Sequence, residues 1–216
     1  MHLRPHDSAS IAYYEDHAED FFGETASIDL SPLYARFLPF VPAGGHILDV
    51  GCGSGRDVRA FRSNGYKVTG FDPSPTLARL ATAHCGLQVQ VMRVQDIDWH
   101  RQFDGIWACA SLLHVSVTEL PEVLRRLAAA LKPGGVLYAS FKYGQGKREH
   151  GGRNFTDLDE EGLAALLRAV PCFRELETWT TADQRPRREN EMWLNTLLVA
   201  EIQMLQAGSD PSGRQA

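Results

Sequence analysis

HILDVGCGSGRD, residues 46–57, decides how the rest of the chain is read. His46–Val50 is a short apolar run stopped by glycines, the pattern of a buried strand, and Arg56–Asn64 has helical spacing. Gly51, Gly53 and Gly55 therefore occupy a strand-to-helix turn. Glycine permits positive φ and lets a ligand reach the backbone without meeting a Cβ. The N–H groups at the helix start can face a polar or anionic group. A dinucleotide fingerprint needs glycines at positions one, three and six, and position six here is Arg56. The pattern is instead acid-x-Gly-x-Gly-x-Gly, which disfavours a nicotinamide-dependent oxidoreductase.

Working outward, a second strand over Tyr66–Phe71 ends at Asp72, which stands 72 − 51 = 21 residues after Gly51. An acid at that strand end can accept hydrogen bonds from ribose hydroxyls. Ser74-Pro75 reads as a cap and first turn of a helix to His84. Gln88–Val94 is a third strand, followed by Asp96, placed to accept from an adenine amino group. Phe103–Ala110 is a fourth strand, Thr118–Leu131 an amphipathic helix stopped by Lys132-Pro133-Gly134-Gly135, and Val136–Phe141 a fifth strand. Thr156 is expected to cap a helix to Val170, and strands are expected at Phe173–Trp179 and Trp193–Ile202. Upstream, helices are expected over residues 12–22 and Leu33–Leu38. Strands alternating with helices predict an α/β fold, a doubly wound, seven-stranded, mostly parallel sheet, with its ligand at the carboxyl ends of the strands. The last two strands, joined by a polar linker, are expected to pair antiparallel at one edge. The expected divisions are an N-terminal helical cap (1–44), the sheet domain (45–203) and a disordered tail (204–216).

The chain has 216 residues, 44% hydrophobic and 23% charged, which fits a folded globular domain rather than a disordered one. Its net charge of −5 weighs against a nucleic-acid partner, which would call for a basic stripe. No apolar stretch approaches the ~20 residues that span a bilayer, and residues 1–20 contain no apolar signal core. The expectation is a cytoplasmic protein, monomer or homodimer, acting on a small molecule. Cys52, Cys85, Cys109 and Cys172 form no CxxC pair, so free thiols and no metal site are expected.

ILDVGCGSG, FDPSP, VQDID, FDGIWACASLLHV and LKPGGVLYASF together resemble the class I S-adenosylmethionine (SAM)-dependent methyltransferases, closely over residues 46–142. The flank ASFKYGQG, with Arg153 and Phe155, resembles the bacterial small-molecule branch related to tellurite-resistance methyltransferases. The resemblance implies a Rossmann-like methyltransferase fold and SAM as cofactor, converted to S-adenosylhomocysteine (SAH). It implies that Gly51, Cys52, Gly53 and Gly55 line the methionine part of SAM, with Asp49 holding the loop. Asp72 would bind the ribose, Pro73 or Ser74 would lie along the adenine, and Asp96 would reach its amino group between Gln95 and Ile97. Ala108, Cys109 and Ala110 would face the sulfonium end, Arg56 the SAM carboxylate, and Tyr14 would close over the cofactor.

His114, in SLLHV after the fourth strand, is the candidate base or acceptor contact. Lys142, Tyr143, Arg153 and Phe155 are candidates for the substrate pocket, on a segment whose glycines 144, 146, 151 and 152 look like hinges. Lys147 and Arg148 read as solvated, as does the Arg185, Arg187, Arg188 cluster, offset by Glu189 and Glu191. Two other readings are a non-catalytic SAM- or metabolite-binding protein and an RNA methyltransferase. Against the latter, Ala108-Cys109-Ala110-Ser111 lacks the Asn/Asp-Pro-Pro-aromatic motif of many amino-group methyltransferases.

Overall fold

The computed structural model describes residues 5–185, 188 and 190–201, with side chains from Ala9 onward. The expected tail, and Arg187 with Glu189 in the polar linker, lie outside the described residues. Seven strands form one sheet: β1 (His46–Val50), β2 (Lys67–Asp72), β3 (Gln90–Val91), β4 (Phe103–Ala108), β5 (Leu131–Lys142), β8 (Phe173–Ala182) and β9 (Met192–Ala200), in the order β3-β2-β1-β4-β5-β9-β8. The first five are parallel, whereas β9 runs antiparallel to both β5 and β8. The order reverses between β1 and β4, which opens a crevice at their carboxyl ends.

Strand periodicity explains why both faces are covered. Leu48, Ile106, Leu137 and Leu198 join one apolar cluster, while their neighbours Ile47, Trp107, Tyr138 and Leu197 join another. Successive side chains point to opposite faces, so each strand must be apolar throughout. Helices α6 (Leu120–Ala130) and α7 (Glu160–Ala169) pack into the first cluster through Val123, Leu127, Leu163 and Leu166. Helices α3 (Ser31–Phe37), α4 (Arg56–Ser63) and α5 (Pro75–Cys85) pack into the second through Phe37, Val58, Phe61, Ala78 and Ala81.

Four local expectations are corrected. The helix expected over 12–22 is two helices, α1 (Pro5–Asp16) and α2 (Ala18–Thr25), broken at His17, whose ring stacks on Tyr13 at 4.2 Å. Strand β3 has two residues rather than seven. Both are exposed at the sheet edge, and the chain then turns into a 3₁₀ helix, Val94–Asp96, closed by the Arg93–Asp96 ion pair. Thr156 caps nothing, because it lies in a hairpin of β6 (Gly146–His150) and β7 (Arg153–Asp157), paired with Lys147. Asp159 is the cap of α7, accepting from the Gly162 N–H at 2.8 Å. The segment that looks like a hinged loop is this hairpin, whose polar β6 shows no burial pattern because all five of its residues are exposed.

All four cysteines are free. Among the described residues, no helix is long and apolar enough to cross a membrane.

Candidate active site

The loop leaving β1 takes its shape from three glycines with positive φ: Gly51 (+64°), Gly53 (+53°) and Gly55 (+73°). A Cβ on Gly51 would stand 2.8 Å from the Ser111 Cβ, closer than real Cβ atoms approach anything. Gly51→Ala is therefore expected to cost at least ~1–2 kcal/mol through left-handed backbone strain and the clash. A fall of ~2–8 °C in the melting midpoint would show it; an unchanged midpoint would mean that the loop tolerates a side chain.

Asp72 sits where β2 ends and is buried. Its Oδ2 accepts from the Gly53 N–H and its Oδ1 from the Ser74 N–H, both at 2.9 Å. Burial pushes its carboxyl up to about 6, against the pull of those two hydrogen bonds. Among the described residues no cation pairs with it, and each oxygen keeps acceptor capacity for a further donor. Around it lies a cavity of about 120 Å³ whose walls include Phe71, Pro73, Leu77, Val94 and Gln95. A carboxylate beside apolar walls and bare glycine backbone fits a nucleoside, with hydroxyls on the acid and a flat base between the side chains.

A larger cavity of about 750 Å³ continues over β4, β5 and β9 and shares Tyr14, Phe21, Gly51, Gly53, Ala110 and His114 with the smaller one. Its floor is set by a buried hub. Asp57 accepts from Tyr34 Oη (2.5 Å), Trp107 Nε1 (2.8 Å) and the Arg56 guanidinium (2.6 and 2.9 Å). Burial alone would raise the Asp57 carboxyl, but Arg56 and these donors outweigh it and hold it below its usual value. Arg56 is thereby fixed on the cavity wall. Ala110 lies between the cavities with φ +53°, a strained position for alanine, and its N–H donates to Ser140 Oγ at 2.8 Å.

At the junction of the cavities stands His114. Its Nδ1 is 2.8 Å from the Asn154 carbonyl, which can only accept, so Nδ1 carries the hydrogen. In the neutral ring Nε2 then accepts from Tyr14 Oη at 2.9 Å. Burial raises the Tyr14 phenol, with Arg153 pulling the other way, so Tyr14 keeps its proton as a donor to His114. Two ties hold α1 over the site: Asn154 N–H donates to Ser10 Oγ at 3.1 Å, and Glu15 accepts from Ser74 Oγ, Thr76 Oγ1 and Thr76 N–H at the start of α5.

The other expected residues divide. Cys52, Cys109, Lys142, Tyr143, Arg153 and Phe155 line the larger cavity. Burial pushes the Cys109 thiol up to about 12, which makes it inert at neutral pH. Asp49 is buried behind the loop, with Oδ2 unpartnered. Gly55 caps α4 against Ala81, and Ser74 caps α5. Four residues expected to touch the cofactor, Gly55, Asp96, Ile97 and Ala108, line neither cavity. Asp96 is held by Arg93 (2.8 and 2.9 Å), and Ile97 and Ala108 are in the apolar core. Lys142 is on the wall, but its ammonium is already engaged by Asp183 (3.0 Å) and Glu191 and lies 3.9 Å over the Trp193 ring.

The basic cluster is also corrected. Arg185 and Arg188 face the larger cavity rather than bulk solvent, because buried Asp183 draws Arg185 in at 2.6 Å. Arg148 is exposed, as expected, while also bordering the cavity and pairing with Asp157 at 2.7 Å. Sequence reasoning missed Phe21, Asp57, Asp183 and Asn195. The polar linker carried the one usable signal: an acid two residues before a run of arginines.

Residues 47–135 match a family model described as a methyltransferase domain. A ubiquinone biosynthesis O-methyltransferase of Nitrobacter winogradskyi is 38% identical over 103 residues, 45% of this chain and 39% of that protein. A structure of Burkholderia thailandensis 1,6-didemethyltoxoflavin-N1-methyltransferase superposes with a TM-score of 0.72 at 26% identity, covering 93% of this chain and 92% of that one.

Residues 47–135 of this chain form a methyltransferase domain.

A Coxiella burnetii ubiquinone biosynthesis O-methyltransferase is 28% identical over 145 residues, 62% of each protein. The chain thus spans between two fifths and two thirds of the length of these curated relatives. Magnesium protoporphyrin IX methyltransferase of Synechocystis shares the fold at a TM-score of 0.71 and 14% identity, covering 93% of this chain and all of that one. The smaller cavity lies at the carboxyl ends of β1 and β2.

Proposed function

We propose that this methyltransferase domain transfers a methyl group from SAM to a small-molecule acceptor. The observation that carries the reading is the meeting of the two cavities at the Tyr14–His114 pair. A nucleoside held on Asp72 and an acceptor in the larger cavity would face one another there. When bound, SAM supplies an electrophilic methyl carbon, so the protein's task is chiefly alignment. Asp72, the Gly51–Gly53 backbone and Gln95 would hold the cofactor, and Arg56, kept in place by Asp57, would meet its carboxylate.

If the acceptor atom carries hydrogen, its proton passes to the Tyr14 oxygen while the Tyr14 proton moves to His114 Nε2. The Asn154 carbonyl then supports the imidazolium. The named relatives include an O- and an N-methyltransferase, and the Burkholderia structure holds SAH and 1,6-didemethyltoxoflavin.

The test is calorimetry with SAH, followed by transfer of labelled methyl from SAM into a small-molecule panel and into pooled RNA. SAH binding and label in small molecules are expected. Absence of SAH binding, or label in RNA alone, would refute the reading.

A further inference from the structure

Six lysine and arginine side chains among the described residues line the larger cavity. Five of them meet a carboxylate: Arg56 meets Asp57 (2.6 Å), Lys142 and Arg185 meet Asp183 (3.0 and 2.6 Å), Arg148 meets Asp157 (2.7 Å) and Arg188 meets Glu191 (4.0 Å). Among the described residues Arg153 has no such partner. Its Nε is buried with nothing to donate to, and its hydrogen bond from Nη1 to Tyr14 Oη is long, at 3.5 Å. The guanidinium carbon lies 4.4 Å from the Tyr13 ring centroid, 5.3 Å from Phe155 and 5.8 Å from Tyr14. Leaving a buried donor of a cation unmatched is costly, and an anion is the partner that removes that cost best.

We infer that Arg153 is a specificity-determining residue that takes an anionic group of the acceptor, and that the acceptor is an aromatic acid methylated next to that group. The position of the anion follows from geometry. Nη1 is 3.5 Å from the Tyr14 oxygen, which is 2.9 Å from His114 Nε2, so the anion and the atom losing its proton must be close neighbours. The aromatic part follows from the rings of Tyr14, Phe21 and Phe155 on the same wall, on which a flat ring can stack. Arg153 lines the larger cavity away from Asp72, and its hydrogen bond goes to Tyr14 at the junction where the proton is moved, which puts it beside the acceptor. This inference rests on the methyl-transfer reading above.

The probes are 2,3-dihydroxybenzoate and its primary amide, titrated calorimetrically into the SAH-loaded protein. The acid is expected to bind about tenfold or more tightly than the amide, as one charge-assisted hydrogen-bond pair would give. Arg153→Gln should erase that preference, and Arg153→Lys should retain part of it, while SAH affinity stays within about twofold for both. An amide bound as tightly as the acid, or an acid unbound at ~10 mM, would overturn the inference. So would a preference that survives Arg153→Gln, or an Arg153→Gln protein that melts normally yet loses SAH. Failure to bind SAH in the wild-type protein would sink the methyl-transfer reading itself, whereas SAH binding without an acid preference sinks only the role of Arg153.

Discussion

Replacing Asp72 by alanine is expected to weaken SAH binding by about 10²–10⁴-fold, because two hydrogen bonds to a charged acceptor are worth ~1.5–3 kcal/mol each. The carboxylate also ties Gly53 to Ser74, so part of the loss would come from a looser glycine loop. A pH profile separates the two contributions. In the free protein burial holds the Asp72 carboxyl up to about 6, above its ordinary 3.8, so it takes up a proton as pH falls through 6. Hydroxyl donors from a ribose would favour the ionised form and return the group toward its ordinary range. Affinity should therefore rise with pH through about 6 and level off above it, with SAH bound about tenfold more weakly near pH 5 than near pH 7. The same linkage acts on stability with its own sign. The raised carboxyl favours the unliganded fold below about pH 4, and that contribution is lost as pH rises through about 6. Asp72→Asn should bind weakly with no such pH step. Calorimetry showing unaltered affinity for Asp72→Ala would refute the ribose assignment.

His114→Gln is expected to lower turnover by ~10²–10⁴ for acceptors methylated at a hydroxyl or N–H, while SAH affinity stays within about twofold. Glutamine can still donate to the Asn154 carbonyl but cannot take a proton at the place of Nε2. Tyr14→Phe breaks the same path one step earlier, between the acceptor and His114. Residues acting as one unit are non-additive, so the double variant should lose little more than the worse single variant. An acceptor already ionised at neutral pH would be methylated almost normally by both. Unchanged turnover of His114→Gln on every accepted substrate would remove His114 from the chemistry.

The fold was legible because the segments that matter are continuous in sequence. HILDV, the glycine loop, Asp72 and FDGIWA each fit within a few residues, and their types dictate strand, turn and acid at a strand end. Asp96 was misread for the same local reason. An acid after the third strand looks like a ligand until Arg93, three residues earlier, is seen to hold it. The linker arginines were misread because an arginine-rich run normally faces water. Asp183, buried, reverses that by holding both Arg185 and Lys142, two residues and forty-one residues away. The β6–β7 hairpin was missed because its outer strand carries no alternation to find.

By itself, the sequence determined the doubly wound sheet, the strand-to-helix turn of glycines and the acid at the end of β2. These follow from short-range rules: side-chain period, positive φ and caps. Only the tertiary structure decided which of the described cavity-lining cations meet a carboxylate and that Arg153 does not, and that His114 meets Tyr14 across one hundred residues. Ion pairing and hydrogen-bond partnership depend on distances of about 3 Å between chain-distant atoms, and no local pattern encodes those distances.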